Sequence, residues 1–197
     1  MSTTEQIKSF VTAKVYRLLS NPSDSAARAA LARLRRGIGY KPGELPELWG
    51  EFLLEMPEGL YGHGMEISRA EWAIYTALTT FALHQQGKDR QAEPMHREGI
   101  SLGAAANRLI EKEDDRERIA RRFYPAATAS DMTELSNHLR GLVSLLRASN
   151  IPMDYGRLAA DLWLFQSPEF ADSVKLRWGE DFCRTKYENN TADDKKG

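Results

Sequence analysis

The segment from Ser25 to Gly43 contains five basic residues and no acidic residue. The whole chain is nearly neutral, with 27 Lys and Arg against 28 Asp and Glu, so this imbalance is local. Most of these residues are arginines, whose planar guanidinium group donates hydrogen bonds in a fork that fits phosphate oxygens. Farther along, Tyr40 offers a ring on which a base could stack, and Lys41 adds a charge. The segment predicts a surface that holds a polyanion by its backbone, although a solvated helix face is the ordinary alternative.

Arginines seven residues apart recur in the chain, and seven residues make about two turns of helix, so each pair lies on one flank. Arg28 and Arg35 form one pair, and Arg140 and Arg147 form another. The second pair lies in a run without acids, residues 135–153. Both flanks are therefore candidates for contacts with phosphate groups.

Two further basic groups are partly compensated or belong to mixed segments. Arg177 is followed seven residues later by another arginine, but Asp181 lies between them. Arg121 and Arg122 end a segment whose first half carries both signs of charge. These groups are weaker candidates by charge alone.

The residue types that catalyse reactions or bind metals form no recognisable pattern. The four histidines are far apart and Cys183 has no partner, so we expect no zinc site and no internal disulfide. No phosphate-binding loop, dinucleotide fingerprint or nucleophile elbow occurs. A nuclease site would need Asp114, Asp115 and Glu117, which are interleaved with arginines as in surface ion pairs. We expect no enzyme activity, no metal and no cofactor.

The bulk composition favours a water-soluble helical protein. The mean hydropathy is −0.52 and no run of 18 apolar residues occurs, which argues against a membrane span. The first ten residues lack the apolar core of a signal peptide, so the expected compartment is the cytoplasm. Leu and Ala outnumber Val and Ile by 45 to 12, a ratio typical of helices rather than strands.

Helix signals predict an all-α fold of eight or nine helices in two small bundles. The expected helices run over about 4–20, 24–36, 69–86, 101–111, 114–123, 131–148, 152–165 and 167–186, with a short one after Pro46. Gly37 is expected to stop the second helix, and Ser68 with Glu71 forms a capping box. The fifth of these helices is expected to end before Pro125.

A polar segment without periodicity, residues 88–99, is the expected boundary between the bundles. It divides the chain into an N-terminal bundle over residues 1–92 and a C-terminal bundle over 93–187. The last residues, 188–197, form a polar tail that we expect to be disordered.

Several segments in a fixed order resemble one known family. They read "ARLRRGIGYKPGELPELW", "ALHQQGK", "ISLGAAANRL", "RRFYPAATASDMTELSNHLRGLVSLLR", "IPMDYGRLAADL" and "VKLRWGEDFCR". Together they are similar to the CasB family, the small subunit of the type I-E CRISPR surveillance complex Cascade. The likeness extends over about residues 8–187 and is weakest between Glu51 and Ser68.

The resemblance implies an all-α protein of two bundles without catalytic activity, two copies of which lie head to tail in the complex. It implies partners as well: the other Cascade subunits, the guide RNA, and the target and displaced DNA strands of the R-loop. It places nucleic-acid contacts at basic positions that match the family, namely Arg35, Arg36, Arg121, Arg122, Arg140 and Arg177. The helical geometry above adds Arg28, Lys41 and Arg147.

A second hypothesis stays open at this point. The chain could be a helical adaptor whose arginine faces bind only acidic patches of partner proteins. Near-zero net charge is compatible with this role, because an isolated chain of this kind need not bind nucleic acid strongly.

Overall fold

The computed structural model describes residues 1–184, and the end of the last expected helix and the 188–197 tail lie outside them. Within these residues the protein is all-α, as predicted, and no β-strand forms apart from one isolated bridge between His96 and Met153. The helices of the described part are α1 Thr3–Leu19, α2 Asp24–Arg36, α3 Trp49–Phe52, α4 Arg69–His84, α5 Leu102–Arg108, α6 Asp115–Thr128, α7 Met132–Ala148, α8 Tyr155–Phe165 and α9 Pro168–Cys183. Short 3-10 turns at Pro46–Leu48 and Glu58–Leu60 flank α3.

The helix starts follow from side chains that accept the first free backbone N–H groups. At α4 the Ser68 hydroxyl accepts from the Glu71 N–H at 3.0 Å, and the Glu71 carboxylate accepts from the Ser68 N–H at 2.7 Å. This confirms the expected capping box. At α7 the Asp131 carboxylate accepts from the Glu134 N–H at 2.9 Å, which fixes that start in the same way.

Helices α5 and α9 end about three residues earlier than expected, at Arg108 and Cys183, and two other boundaries differ for reasons that the structure shows. Helix α6 continues through Pro125 instead of ending before it. Proline has no N–H to give to the carbonyl of Arg121, but the extra turn buries Ala126 completely, and that packing keeps the helix intact. Helix α8 begins at Tyr155 rather than three residues earlier, because the Asp154 carboxylate caps it by accepting from the N–H of Arg157 at 2.9 Å.

Helix α4 lies at the centre of the core, and 12 of its 16 residues are buried. Helices α2 and α7 pack on it, and α8 packs on both α4 and α1. Gly156 in α8 allows the close approach to α1, since a Cβ atom there would lie 2.2 Å from the Thr12 hydroxyl. One apolar cluster therefore joins helices from both halves of the sequence.

The segment 88–99, the expected boundary, is fastened to both halves. The guanidinium of Arg90 donates to the carbonyls of Leu18 and Leu19 at 2.8 and 2.9 Å, where α1 ends. Farther along, the N–H of Gly99 donates to the side chain of Asp154, at the start of α8, at 3.0 Å. The packing across the segment is thus extensive, and the division into 1–92 and 93–187 stays a prediction.

A buried polar contact joins the end of α4 to the start of α8. The Nδ1 atom of His84 lies 2.8 Å from the hydroxyl oxygen of Tyr155, and neither side chain reaches solvent. Burial lowers the pKa of His84 to about 3, because the imidazolium would lose its water. Burial raises the pKa of Tyr155, so the phenol stays neutral in this contact.

His84 should make the fold less stable in mild acid. The folded state binds fewer protons than the unfolded state below the ordinary histidine pKa of 6.5, so stability falls as pH drops from there toward 3. At about pH 5 we expect a loss of about 2 kcal/mol relative to about pH 7.5. Urea unfolding of the wild type and of His84→Gln at both pH values measures it. His96, whose pKa is also lowered by burial, adds to the pH dependence of stability in both proteins. An equal pH dependence in the wild type and in His84→Gln would contradict the role of His84.

Candidate nucleic-acid interface

Helices α2 and α7 flank the same side of α4 and leave a groove between them. Its floor is a row of α4 residues at helical spacing, Thr76, Thr79, Thr80 and Leu83. Its rims are residues 37–40, which follow α2, and two side chains of α7, Ser136 and Arg140. We call this the α2–α7 groove. It brings together two basic segments that are about 100 residues apart in the sequence.

Gly37 positions the rim that follows α2. A Cβ atom there would lie within 2.6 Å of the side chains of Leu48 and Tyr75, so only glycine lets the chain come this close to α4. The Tyr75 hydroxyl donates to the Gly37 carbonyl at 2.8 Å, and burial raises the pKa of that phenol to about 12. The helix ends at Gly37 as predicted, but the left-handed turn comes later, at Gly39 with φ of 90°. Tyr40, beyond it, is exposed.

Arg140 and Arg147 project from the α7 side, as their spacing predicted. Arg140 is exposed at the groove, and its side chain makes no hydrogen bond or ion pair with the described residues. Arg147 is half-buried, and its guanidinium donates to the Gln86 side chain at 2.9 Å and to the Leu83 carbonyl at 3.4 Å. Neither arginine meets a carboxylate in the described part of the chain.

On the α2 side, Arg35 is half-buried and Arg36 is exposed, and neither has an ion-pair or hydrogen-bond partner for its side chain within residues 1–184. Burial lowers the pKa of Arg35, and the nearby charge of Arg147 lowers it further. Lys41 is exposed, and its side chain is likewise unpaired among these residues. The arginines nearest the groove therefore carry charge that the described protein does not neutralise.

Arg28 differs from the other residues of its segment. Its Nε atom lies 2.7 Å from a carboxylate oxygen of Asp24, one turn earlier in α2. Asp24 lies immediately before the run without acids, residues 25–43. Counting charges in that run alone therefore left out the residue that pairs with Arg28. A second depression beside α2 is lined by Arg28, Arg35 and residues 85–90, and the carboxylates of Asp24 and Asp89 in its lining offset part of the positive charge.

Three predicted contacts lie outside the α2–α7 groove. Arg121 and Arg122 are exposed on α6, and Arg121 pairs with Glu117 one turn earlier. Arg177 on α9 donates to Asp161 at 2.9 Å, a carboxylate that is 5% exposed and also accepts from the Trp178 indole at 2.8 Å. Arg177 thus neutralises a buried acid. A contact of these three with nucleic acid stays a prediction.

The sequence interpretation missed the groove floor and Lys88. The threonines at positions 76, 79 and 80 follow helical spacing on the side of α4 opposite Ile74 and Leu78, and this polar stripe was a usable signal. Lys88 lies in a segment without periodicity, and its ammonium group donates to the side chain of Asn150. Nothing in the local sequence indicates that contact.

Metal and membrane sites find no support in the described part of the chain. Across residues 1–184 no three His, Cys, Asp or Glu side chains gather closely enough to hold a metal ion. In that range no helix combines the length and the apolar character needed to cross a membrane.

The chain is similar to solved structures of CRISPR-associated proteins. CasB from Thermobifida fusca is 34% identical, with a TM-score of 0.74 over 90% of this chain and 97% of that one. A CRISPR-associated protein of the Cse2 family from Thermus thermophilus is 24% identical, with a TM-score of 0.62 over 92% and 98%. CasB of M. ruber is 23% identical, with a TM-score of 0.60 over 88% and 92%; at these last two identities the likeness shows the fold alone. Comparison with curated protein sequences gives no match.

The family model described as CRISPR-associated protein Cse2 matches residues 30–182, which is most of the chain. The match includes the end of α2, the α4 floor and the whole of α7, and so it spans every element of the α2–α7 groove. The predicted resemblance is confirmed, and the chain belongs to the Cse2 (CasB) family of CRISPR-associated proteins.

Proposed function

We propose that this chain is a non-catalytic small subunit of a type I-E Cascade complex in the cytoplasm. It holds nucleic-acid backbone without reading sequence, and so stabilises the guide RNA and the two DNA strands of the R-loop. Its partners are the other Cascade subunits and a second copy of itself. In RNA-guided complexes base pairing reads the sequence, so a subunit of this kind needs only to contact phosphates.

One observation supports this proposal most strongly. Arg140 lines the α2–α7 groove, Arg35 lines the neighbouring depression beside α2, and Arg147 bonds to Gln86 of that depression; no described carboxylate neutralises any of the three. An exposed arginine ordinarily finds an acid or stays fully solvated on a convex face. Here three lie at or beside two neighbouring concave surfaces, and the exposed ring of Tyr40 is on the rim of the α2–α7 groove. A phosphate backbone supplies the missing negative charge, and the ring suits the stacking of a base.

A protein-binding surface that does not involve the arginine faces also has an observation in its favour. Residues 44–66 contain six glutamates and no Lys or Arg. Trp49, Leu54 and Met65 in this segment are exposed, which is typical of a surface that meets another protein. Both roles can coexist, because this segment and the α2–α7 groove use different residues.

Ultraviolet crosslinking of the assembled complex separates the two roles. We expect crosslinks from α2 and α7 to nucleic acid. Crosslinks from these helices to protein alone would contradict the proposal and favour the adaptor. The segment 44–66 serves as an internal control, since we expect it to crosslink to protein.

The salt dependence of binding gives a second test. Arg140→Gln in the assembled complex should lower the slope of log K against log salt by about 0.7 to 0.9, because one phosphate contact is lost. Arg97→Gln is the matched control, since Arg97 is exposed, lies outside the groove and has no described ion pair. An unchanged slope for Arg140→Gln would count against the role of the groove.

A further inference from the structure

Arg35 and Arg147 form an unusual pair of like charges. They come from different halves of the sequence, and both are half-buried beside the end of α4. Gln86 connects them: it lines the depression beside α2 together with Arg35, and its side-chain oxygen accepts from Arg147 at 2.9 Å. They are close enough for the charge of Arg147 to lower the pKa of Arg35. No carboxylate of the described residues pairs with either of them.

Such a pair is unfavourable in the free protein. Each guanidinium has lost part of its water, and the two charges repel. The fold nevertheless orders Arg147 through the Leu83 carbonyl and the Gln86 side chain. Arg35 is held by α2, whose Leu31 and Leu34 are buried in the core. The protein therefore keeps two cations close together at a point where an anion would remove the repulsion.

We propose that Arg35 and Arg147 together clamp a single phosphodiester group of a bound strand. This rests on the proposed function and makes it more specific. A phosphodiester carries two free oxygens, and each can accept from one guanidinium fork. A carboxylate also has two acceptor oxygens, so the choice of a phosphodiester rests on the charge around the pair. The neighbouring cations Lys88 and Arg140, neither of which pairs with a carboxylate, extend the positive surface, which suits a continuous strand better than an isolated acid.

The clamp makes a distinct prediction about salt dependence. The probe is fluorescent single-stranded oligothymidylate bound by the full-length chain, starting at about 50 mM salt. Arg35→Gln and Arg147→Gln should each weaken binding about tenfold, because a charged hydrogen bond is lost. Each single variant should nevertheless keep the salt slope, because the remaining arginine still neutralises the phosphate. The double variant should lower the slope by about 0.7, the value for one phosphate on a single strand.

Independent contacts would behave differently. Each single variant would then lower the slope by about 0.7 and the double variant by about 1.4, which overturns the clamp and leaves the proposed function standing. If only Arg140→Gln changes the salt slope, the clamp is also overturned and the proposed function stands. If none of these variants changes the slope in the assembled complex, the proposed function itself fails. Failure of the wild-type chain to bind oligothymidylate overturns the clamp alone.

A second measurement needs no nucleic acid. Thermal unfolding of the wild type, both single variants and the double variant forms a cycle that cancels effects on helix ends. Either substitution alone relieves the same repulsion between the two arginines. The change in unfolding midpoint caused by Arg147→Gln should therefore be about 1–3 °C less favourable in the Arg35→Gln variant than in the wild type. A coupling of zero, or of the opposite sign, overturns the clamp. Inorganic phosphate at constant ionic strength should abolish this coupling if the free anion also fits between the two arginines. If the site needs a phosphodiester, only oligothymidylate should abolish the coupling.

Discussion

Replacing Arg35, Arg140 and Arg147 together by glutamine is expected to weaken the binding of single-stranded nucleic acid by about 100-fold in the assembled complex. These three side chains carry unneutralised charge at the α2–α7 groove and the depression beside α2. The loss should be the same for strands of unrelated sequence, since no base-reading contact is involved. Titration of labelled strands against the complex at several salt concentrations measures both the affinity and its salt slope.

The control for this triple variant is Arg97→Gln combined with Arg108→Gln, which removes two positive charges where the triple variant removes three. Both arginines are exposed outside the groove and lack ion pairs within residues 1–184, so the control changes net charge without touching the site. Circular dichroism checks that the variants keep their helices. Equal affinity of the triple variant and the wild type would contradict the proposed interface. An equal loss in the control would show that overall charge, not the groove, carries the binding.

Gly103→Ala is expected to destabilise the fold by about 3 kcal/mol or more. Gly103 lies where α5 crosses α9, and a Cβ atom there would lie 2.0 Å from the carbonyl oxygen of Trp178. Because that oxygen belongs to the backbone of a helix, it cannot move aside as a flexible side chain could. Trp178 itself is completely buried, so a shift of α9 would disturb the core. The midpoint of thermal unfolding should fall by about 6–12 °C.

The helix that Gly103 meets, α9, supplies a control for this prediction. Gly179, next to Trp178, has open space around the position of a Cβ atom. Gly179→Ala should therefore stabilise α9 slightly, by about 0.5–1 kcal/mol, because alanine has the higher helix propensity. A midpoint for Gly103→Ala as high as that of the wild type would show that α5 and α9 are not packed as described.

Several features of the fold could be predicted from local chemistry. The excess of Leu and Ala over Val and Ile indicated helices, and the serine and aspartate caps at Ser68 and Asp131 gave the starts of α4 and α7. These signals are local, because a cap needs only a side chain and the N–H group three residues later. The expected end of α6 was wrong because it was inferred from a local signal alone. A proline lacks a hydrogen bond locally, whereas the burial of Ala126 that compensates for it depends on distant residues.

The candidate site shows the same division. The seven-residue spacing placed Arg140 and Arg147 on one flank of α7 and Arg28 and Arg35 on one flank of α2, because helical periodicity is a property of the sequence. Which flanks share a groove depends on α4, which lies between them in space and is far from both in sequence. No periodicity could show that Arg177 neutralises the buried Asp161.

The sequence by itself determined the helices, their capped starts and the concentration of arginine on two helix flanks. Tertiary structure alone decided which of those arginines keep free charge. It paired Arg177 with an acid from α8 and left Arg35 and Arg147 beside each other without one. The physical reason is range: hydrogen-bonded turns and side-chain spacing act within a few residues, whereas burial and charge pairing act between surfaces that meet only when the chain is folded.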